Sequence, residues 1–127
     1  MSQPKILLYN FTDQERLRQI RRYLNRHHIQ VNLIKTNQFL DPLGYLFQIP
    51  GFSPNPSFNL SGNFTEEMMV MESFSQQQLQ DFLSFFHENG LTPVALKSIL
   101  TPVNIHWSSL KLYQELSKEH RSFSVKK

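Results

Sequence analysis

The sequence predicts an α+β fold, a ferredoxin-like βαββαβ sandwich with a long ordered excursion between its second and third strands and an added C-terminal helix. Three observations carry this. Segments with strand and helix patterning follow one another as strand, helix, strand, excursion, strand, helix, strand, helix. The two most continuously apolar strand segments are the first and the third. A ferredoxin-like sheet, ordered 4-1-3-2, places those two strands at its centre, where both faces are covered. The competing architecture is a parallel, doubly wound sheet.

Lys5-Ile-Leu-Leu-Tyr-Asn-Phe11, with Pro4 before it, reads as a strand buried on both faces. Thr12 and Glu15 then fit a capping box that opens a helix running to about Asn25–His27, with Leu17, Ile20 and Leu24 on its inner stripe. Ile29-Gln-Val-Asn-Leu33 alternates apolar and polar, the period of an edge strand. Residues 36–63 hold four of the seven prolines but also Phe39, Leu40, Leu43, Tyr45, Leu46, Phe47, Phe52 and Phe58, too much apolar surface for a floppy linker. This stretch is expected to be ordered, with a helical turn near Asp41–Phe47.

Glu66-Glu-Met-Met-Val-Met-Glu72 is the second doubly covered strand. Ser75 and Gln78 repeat the capping pattern, and the helix they open, about 75–89, puts Leu79, Phe82, Leu83 and Phe86 inward. Asn89-Gly90 supplies its left-handed stop. Pro93–Ile99 reads as the fourth strand, broken by Thr101-Pro102. Ser108–His120 reads as a last helix with Leu110, Tyr113 and Leu116 inward, and 121–127 as a frayed end. Two helices cover only one side of such a sheet, so the excursion, the last helix or a second subunit must cover the other.

Several of these segments together resemble a known family. Lys5–Phe11, Pro42-Leu-Gly-Tyr-Leu46, Glu66-Glu-Met-Met-Val-Met71 and Ala95–Asn104 with Trp107 are similar to a family of short bacterial proteins described only as a domain of unknown function (DUF3783). The resemblance runs over nearly the whole chain. It implies a bacterial cytoplasmic protein of about this length and brings no activity with it.

Composition narrows the function classes. A chain of 127 residues is one domain's worth. With no Cys, a disulfide scaffold, a Cys-ligated zinc and a thiol nucleophile are all excluded, and a cytoplasmic location is expected. The N-terminus lacks the cationic and apolar regions of a signal peptide, and no run reaches the roughly 20 apolar residues of a membrane helix. The net charge of +3 is unevenly spread: residues 1–35 carry +5, 36–90 carry −6 and 91–127 carry +4. Basic ends around an acidic middle point to a polyanionic partner or to charge matching within the fold or between subunits.

Candidate site residues are few. Glu66 and Glu67 are adjacent on a strand, so their side chains diverge rather than form an acid–base pair. The loop Thr101-Pro-Val-Asn-Ile-His-Trp107 concentrates polar groups and the lone Trp; with Glu72 it is the candidate ligand site, comprising Glu72, Thr101, Asn104, His106 and Trp107. Asn104 also suits a turn or helix cap, and Trp107 a core plug. In the ferredoxin-like topology Lys5 and Glu72 share this loop's end of the sheet, opposite Asn10, Glu66 and Glu67. His27, His28, His87, His106 and His120 have no metal-ligand spacing, and neither a nucleophile elbow nor a Gly-rich phosphate loop is present, so no cofactor is expected.

Arg16, Arg18, Arg21, Arg22 and Arg26 on the first helix form the alternative site, for nucleic acid, although arginine equally suits a solvated helix face. The Met-rich, acidic third strand lacks the aromatics on which ferredoxin-like RNA binders stack bases. The reading is a non-enzymatic regulatory or interaction module, self-associating through the uncovered sheet face or the Phe-rich excursion, with a homo-oligomer or a protein as partner. Nucleic-acid binding by the first helix and small-molecule chemistry at the Thr101–Trp107 loop are the alternatives.

Overall fold

The computed structural model describes residues 3–57 and 63–125, except the side chains of 121–125; Phe58 of the excursion lies outside the described residues. Its elements are β1 (Lys5–Tyr9), α1 (Gln14–Arg26), β2 (Gln30–Ile34), a 3-10 turn at Thr36–Gln38, α2 (Leu43–Leu46), β3 (Met68–Glu72), α3 (Gln76–Glu88), β4 (Leu96–Ile99), a second 3-10 turn at Asn104–His106 and α4 (Ser109–Val125). α4 thus continues five residues past His120, where fraying was expected.

The mixed sheet is ordered β2-β1-β3-β4. β1 and β3 are central and antiparallel, pairing Lys5 with Glu72 and Leu7 with Val70. The expected order 4-1-3-2 needs correction, because the outer strands have exchanged places: β2 lies parallel to β1 and β4 parallel to β3. The cause is connectivity. A ferredoxin-like sheet uses a tight hairpin to set its second strand beside its third, whereas here 33 residues separate β2 from β3. Each β-α-β unit therefore closes on itself as an ordinary parallel crossover.

Side chains alternate between two cores. Ile6, Leu8, Met69 and Met71 face α1 and α3, meeting Leu17, Ile20, Leu24, Phe82 and Phe86. Leu7, Tyr9, Met68 and Val70 face the other way, against Phe39, Leu43, Leu46, Phe47 and Phe64 of the excursion and Leu112 of α4. The chain's own excursion and last helix cover the second face. The central strands are accordingly dry on both sides, with Leu7, Tyr9, Met68 and Val70 all at 0% exposure. Leu83, expected inward, is exposed on α3, and Leu112, on no expected stripe, is buried.

The two halves follow one plan. Asn10 and Ser73 both adopt left-handed backbone (φ 63° and 65°) and each is followed by a Phe. Asp13 caps α1 by accepting from the Arg16 amide (3.1 Å), and Ser75 caps α3 by accepting from that of Gln78 (3.0 Å). The expected Thr12–Glu15 capping box is displaced by one residue, because Asp13 takes the cap and the Glu15 carboxylate turns to Arg18. Both helices have 13 residues. Both end on a left-handed residue, His28 or Gly90, followed by the same closing bond, Ile29 N–H to the Leu24 carbonyl or Leu91 N–H to the Phe86 carbonyl. Beyond the outer strands, Gln38 accepts from the Lys35 amide (2.9 Å) as Asn104 accepts from that of Thr101 (2.8 Å). The following segments meet at a Pro42–Ser108 bridge. The halves are thus related by an approximate two-fold axis through the Leu7–Val70 pair.

On the excursion side, the Tyr9 hydroxyl shares a 2.7 Å hydrogen bond with Ser109 at the start of α4. Burial pushes the Tyr9 phenol far above its ordinary value, and desolvation outweighs the opposing hydrogen bond from Ser109. Tyr23 is raised as well, by burial and then by Asp81 and Glu88. The sign follows from proton linkage. Above pH 10 an unfolded chain releases these protons while the folded chain keeps them, so the contribution of these two groups to stability is constant below about pH 9 and is lost as pH rises through 10. Urea unfolding from pH 7 to 11 measures this decline, and Tyr9→Phe is expected to reduce its slope.

Candidate functional site

The Thr101–Trp107 loop is tied to the end of β4. Asn104 accepts from the Thr101 amide at 2.8 Å, its own amide donates to Thr101 Oγ1 at 3.0 Å, and its Nδ2 donates to the Ile99 carbonyl at 3.0 Å and to Ser98 Oγ at 3.4 Å. Asn104 is buried and closes a ring of bonds that turns the chain from β4 toward α4. The Trp107 carbonyl accepts from the Leu43 amide at 2.8 Å, and its ring packs on the excursion-side core with Lys111 over it at 5.5 Å. His106 is exposed and lies 5.4 Å from the Phe52 ring.

Because β3 and β4 are parallel, Glu72, Lys5 and this loop lie at one end of the sheet, with Asn10, Glu66 and Glu67 at the other. The Glu72 carboxylate accepts from the neighbouring Ser73 hydroxyl, while Lys5 Nζ donates to the Phe47 carbonyl at 2.9 Å. Of the five candidate residues, Thr101 and Asn104 are joined through the Asn104 side chain and the Trp107 amide donates to the Asn104 carbonyl at 2.9 Å, while Glu72 and His106 engage other groups.

At the opposite end the two glutamates diverge. Glu67 takes a bidentate pair from Arg16, with Nε at 2.9 Å and Nη2 at 3.0 Å, and the Arg16 guanidinium also lies against the Phe11 and Phe86 rings. Glu66 accepts from the Tyr113 hydroxyl at 2.6 Å, which is the main reason its carboxyl lies below the usual range. Asn10 Nδ2 donates to the Phe64 and Glu66 carbonyls at 3.0 Å each, so the left-handed Asn10 anchors the end of the excursion.

The five arginines of α1 consequently do not form one face. Arg16 is directed toward α3 and Glu67. Arg18 reaches the exposed Glu15 at 2.5 Å, whereas Arg21, Arg22 and Arg26 have no ion pair among the described residues. Tyr23, on the same side as Arg16, stacks on Phe82 and packs on Phe85, so that flank of α1 faces α3. Arg18, Arg21 and Arg22 lie beyond the opposite flank around a shallow depression of about 580 Å³ that includes the side of Leu17. Leu17 of that flank also lines a depression with Leu33 and Ile34, so the flank lies on the β2 side of the helix.

β2 is a free edge of the sheet, and along it runs a groove of about 600 Å³ lined by residues 31–34 together with Gln38, Tyr45, Leu46, Gln48, Ile49 and Phe52. Leu33 and Tyr45 are large apolar side chains left open there, at 43% and 37% exposure. Gly44 lets Phe52 seat in this wall, since a Cβ at Gly44 would come within 2.6 Å of the Phe52 ring. Sequence reasoning identified the edge strand by its alternation but missed the groove. The return of Tyr45, Ile49 and Phe52 to β2 is a tertiary contact with no local periodicity.

Among the described residues no group of three His, Asp or Glu side chains is placed to hold a metal ion, and no helix is long and apolar enough to cross a membrane. No curated protein and no solved structure matches the chain. The segments Lys5–Phe11 and Pro42–Leu46 fall outside the family match, which covers the second repeat. Residues 67–123, from β3 into α4, match the family described as Domain of unknown function (DUF3783).

Proposed function

We infer that the protein is a non-enzymatic interaction module that engages another polypeptide through the groove beside β2. The observation that carries this reading is the open strand edge lined by Leu33, Tyr45, Ile49 and Phe52. An edge strand presents unpaired backbone donors and acceptors, and natural folds ordinarily blunt such edges with charge, proline or a covering segment. β2 carries neither a charge nor a proline from Gln30 to Ile34.

Two further observations support it. Thr101 and Asn104 of the Thr101–Trp107 loop are engaged in shaping the chain, which gives their polar groups a structural use. Of the two surfaces named for self-association, the second sheet face is packed within the fold by the excursion, while the excursion's own Tyr45 and Phe52 line the groove beside β2.

The test is a random decapeptide display library panned on the wild type and on Leu33→Lys, a change at an exposed position that blunts the edge. Enriched sequences that bind the wild type and lose affinity for Leu33→Lys by at least tenfold are the expected result. Enrichment of no sequence, or equal binding to both proteins, overturns the reading.

A further inference from the structure

We propose that the occupant of the β2 edge is an extended peptide whose side chains alternate between acidic and branched apolar, with its acids toward Arg18, Arg21 and Arg22. This deepens the function inferred above and rests on it. β2 ends the sheet, so one row of its backbone groups is directed away from β1. A strand added along that row, about 4.8 Å away, sends successive side chains to opposite faces of the sheet.

Those two faces differ chemically. Val31 packs into the core under α1, so the residues of an added strand on that side meet the basic flank and its depression of about 580 Å³. Asn32 donates to the Leu46 carbonyl and Ile34 lies in the excursion-side core, so the residues on the other side meet Tyr45, Ile49 and Phe52. Charge complementarity therefore applies to every second residue only. Arg21 and Arg22 have no ion pair among the described residues, and Arg18 has only exposed Glu15, so the guanidinium groups are available to carboxylates in the forked geometry they favour.

Other occupants fit less well. A second copy pairing β2 with β2 would set Arg18, Arg21 and Arg22 of one chain near the same residues of the other. A nucleic acid would gain from the arginines, but they are few and lie on one flank, and the backbone edge and the apolar wall offer a phosphodiester chain nothing to pair with.

Fluorescence anisotropy with a labelled peptide Asp-Val-Glu-Ile-Asp-Val-Glu, its Asn/Gln and Lys counterparts and a dT10 oligonucleotide tests this on the full chain. Saturable binding of the acidic peptide is expected. It should weaken at least tenfold in Arg18→Glu/Arg21→Glu, weaken at least tenfold on substitution of the peptide's acids by Asn and Gln, and fall further with added salt. N-methylation of alternate peptide amides should abolish it, a readout that leaves the protein unaltered. If the amide or Lys peptide binds as well as the acidic one, the acidic specificity is wrong while edge recognition stands. Binding of dT10 with no peptide binding replaces the proposal with nucleic-acid recognition. No binding by any probe removes both the proposal and the edge reading beneath it.

Discussion

Phe39→Ala is expected to lower stability by about 3–5 kcal/mol, the range for emptying a fully buried aromatic site. Phe39 is 1% exposed and belongs to a run of rings that bridges three parts of the chain: it stacks on Phe64 at 4.6 Å, Phe64 stacks on Tyr113 of α4 at 4.3 Å, and Tyr9 of β1 lies 5.9 Å from both Phe39 and Phe64. The Phe39 carbonyl also accepts from the Leu110 amide at 3.3 Å. Truncation opens a cavity where the excursion, the sheet and α4 meet, and relaxation there is restrained from all three sides. Urea unfolding followed by far-UV circular dichroism gives the value. Phe39→Leu should recover more than half of the loss. A change below 1 kcal/mol for Phe39→Ala would show that the excursion does not share the core.

The second large effect is expected at Asn104. Asn104→Ala removes the acceptor of the Thr101 amide and the donor to the Ile99 carbonyl, each of which is left without its partner at the exit of β4. Orphaned polar groups cost about 1–3 kcal/mol each when buried, and a total near 3 kcal/mol is expected from thermal or urea unfolding. Asn104→Asp separates the two contributions, because a carboxylate still accepts from the Thr101 amide but cannot donate to the Ile99 carbonyl. Its loss should lie between wild type and alanine. If Asn104→Ala left stability unchanged, the ring of bonds would be dispensable and a ligand-directed role for Asn104 would gain ground.

Much of the architecture was legible because it is written locally. The first and third strands announce themselves as unbroken apolar runs, the helix stripes 17-20-24 and 79-82-86 recur at helical spacing, and Ser75 with Gln78 forms the capping box that its pattern demands. The interchange of the outer strands was not legible, because period and propensity locate strands without pairing them; only the length of the connection between β2 and β3 distinguished the two topologies. At the candidate site the same division holds. Divergence of Glu66 and Glu67 follows from strand alternation, whereas the withdrawal of Arg16 from the basic face depends on Glu67, 51 residues away in sequence. The groove beside β2 is assembled from segments that share no local pattern, and the repeat was hidden because only its turn, cap and core positions correspond.

That repeat has a consequence for how alike the two rims of the molecule are. Structural counterparts on the two long helices have drifted apart in charge: Arg18, Arg21 and Arg22 of α1 correspond, counting from the caps Asp13 and Ser75, to Gln80, Leu83 and Ser84 of α3. Leu33 and Ile99 remain open on the two opposite rims, at 43% and 51% exposure; Leu33 lines a depression with Leu17 of the arginine-bearing flank, whereas two residues before Ile99 stands Lys97, whose Nζ donates to the Val94 carbonyl. A scaffold of nearly duplicate halves therefore carries different charge on its two long helices, and a ligand selected by negative charge would meet two inequivalent rims.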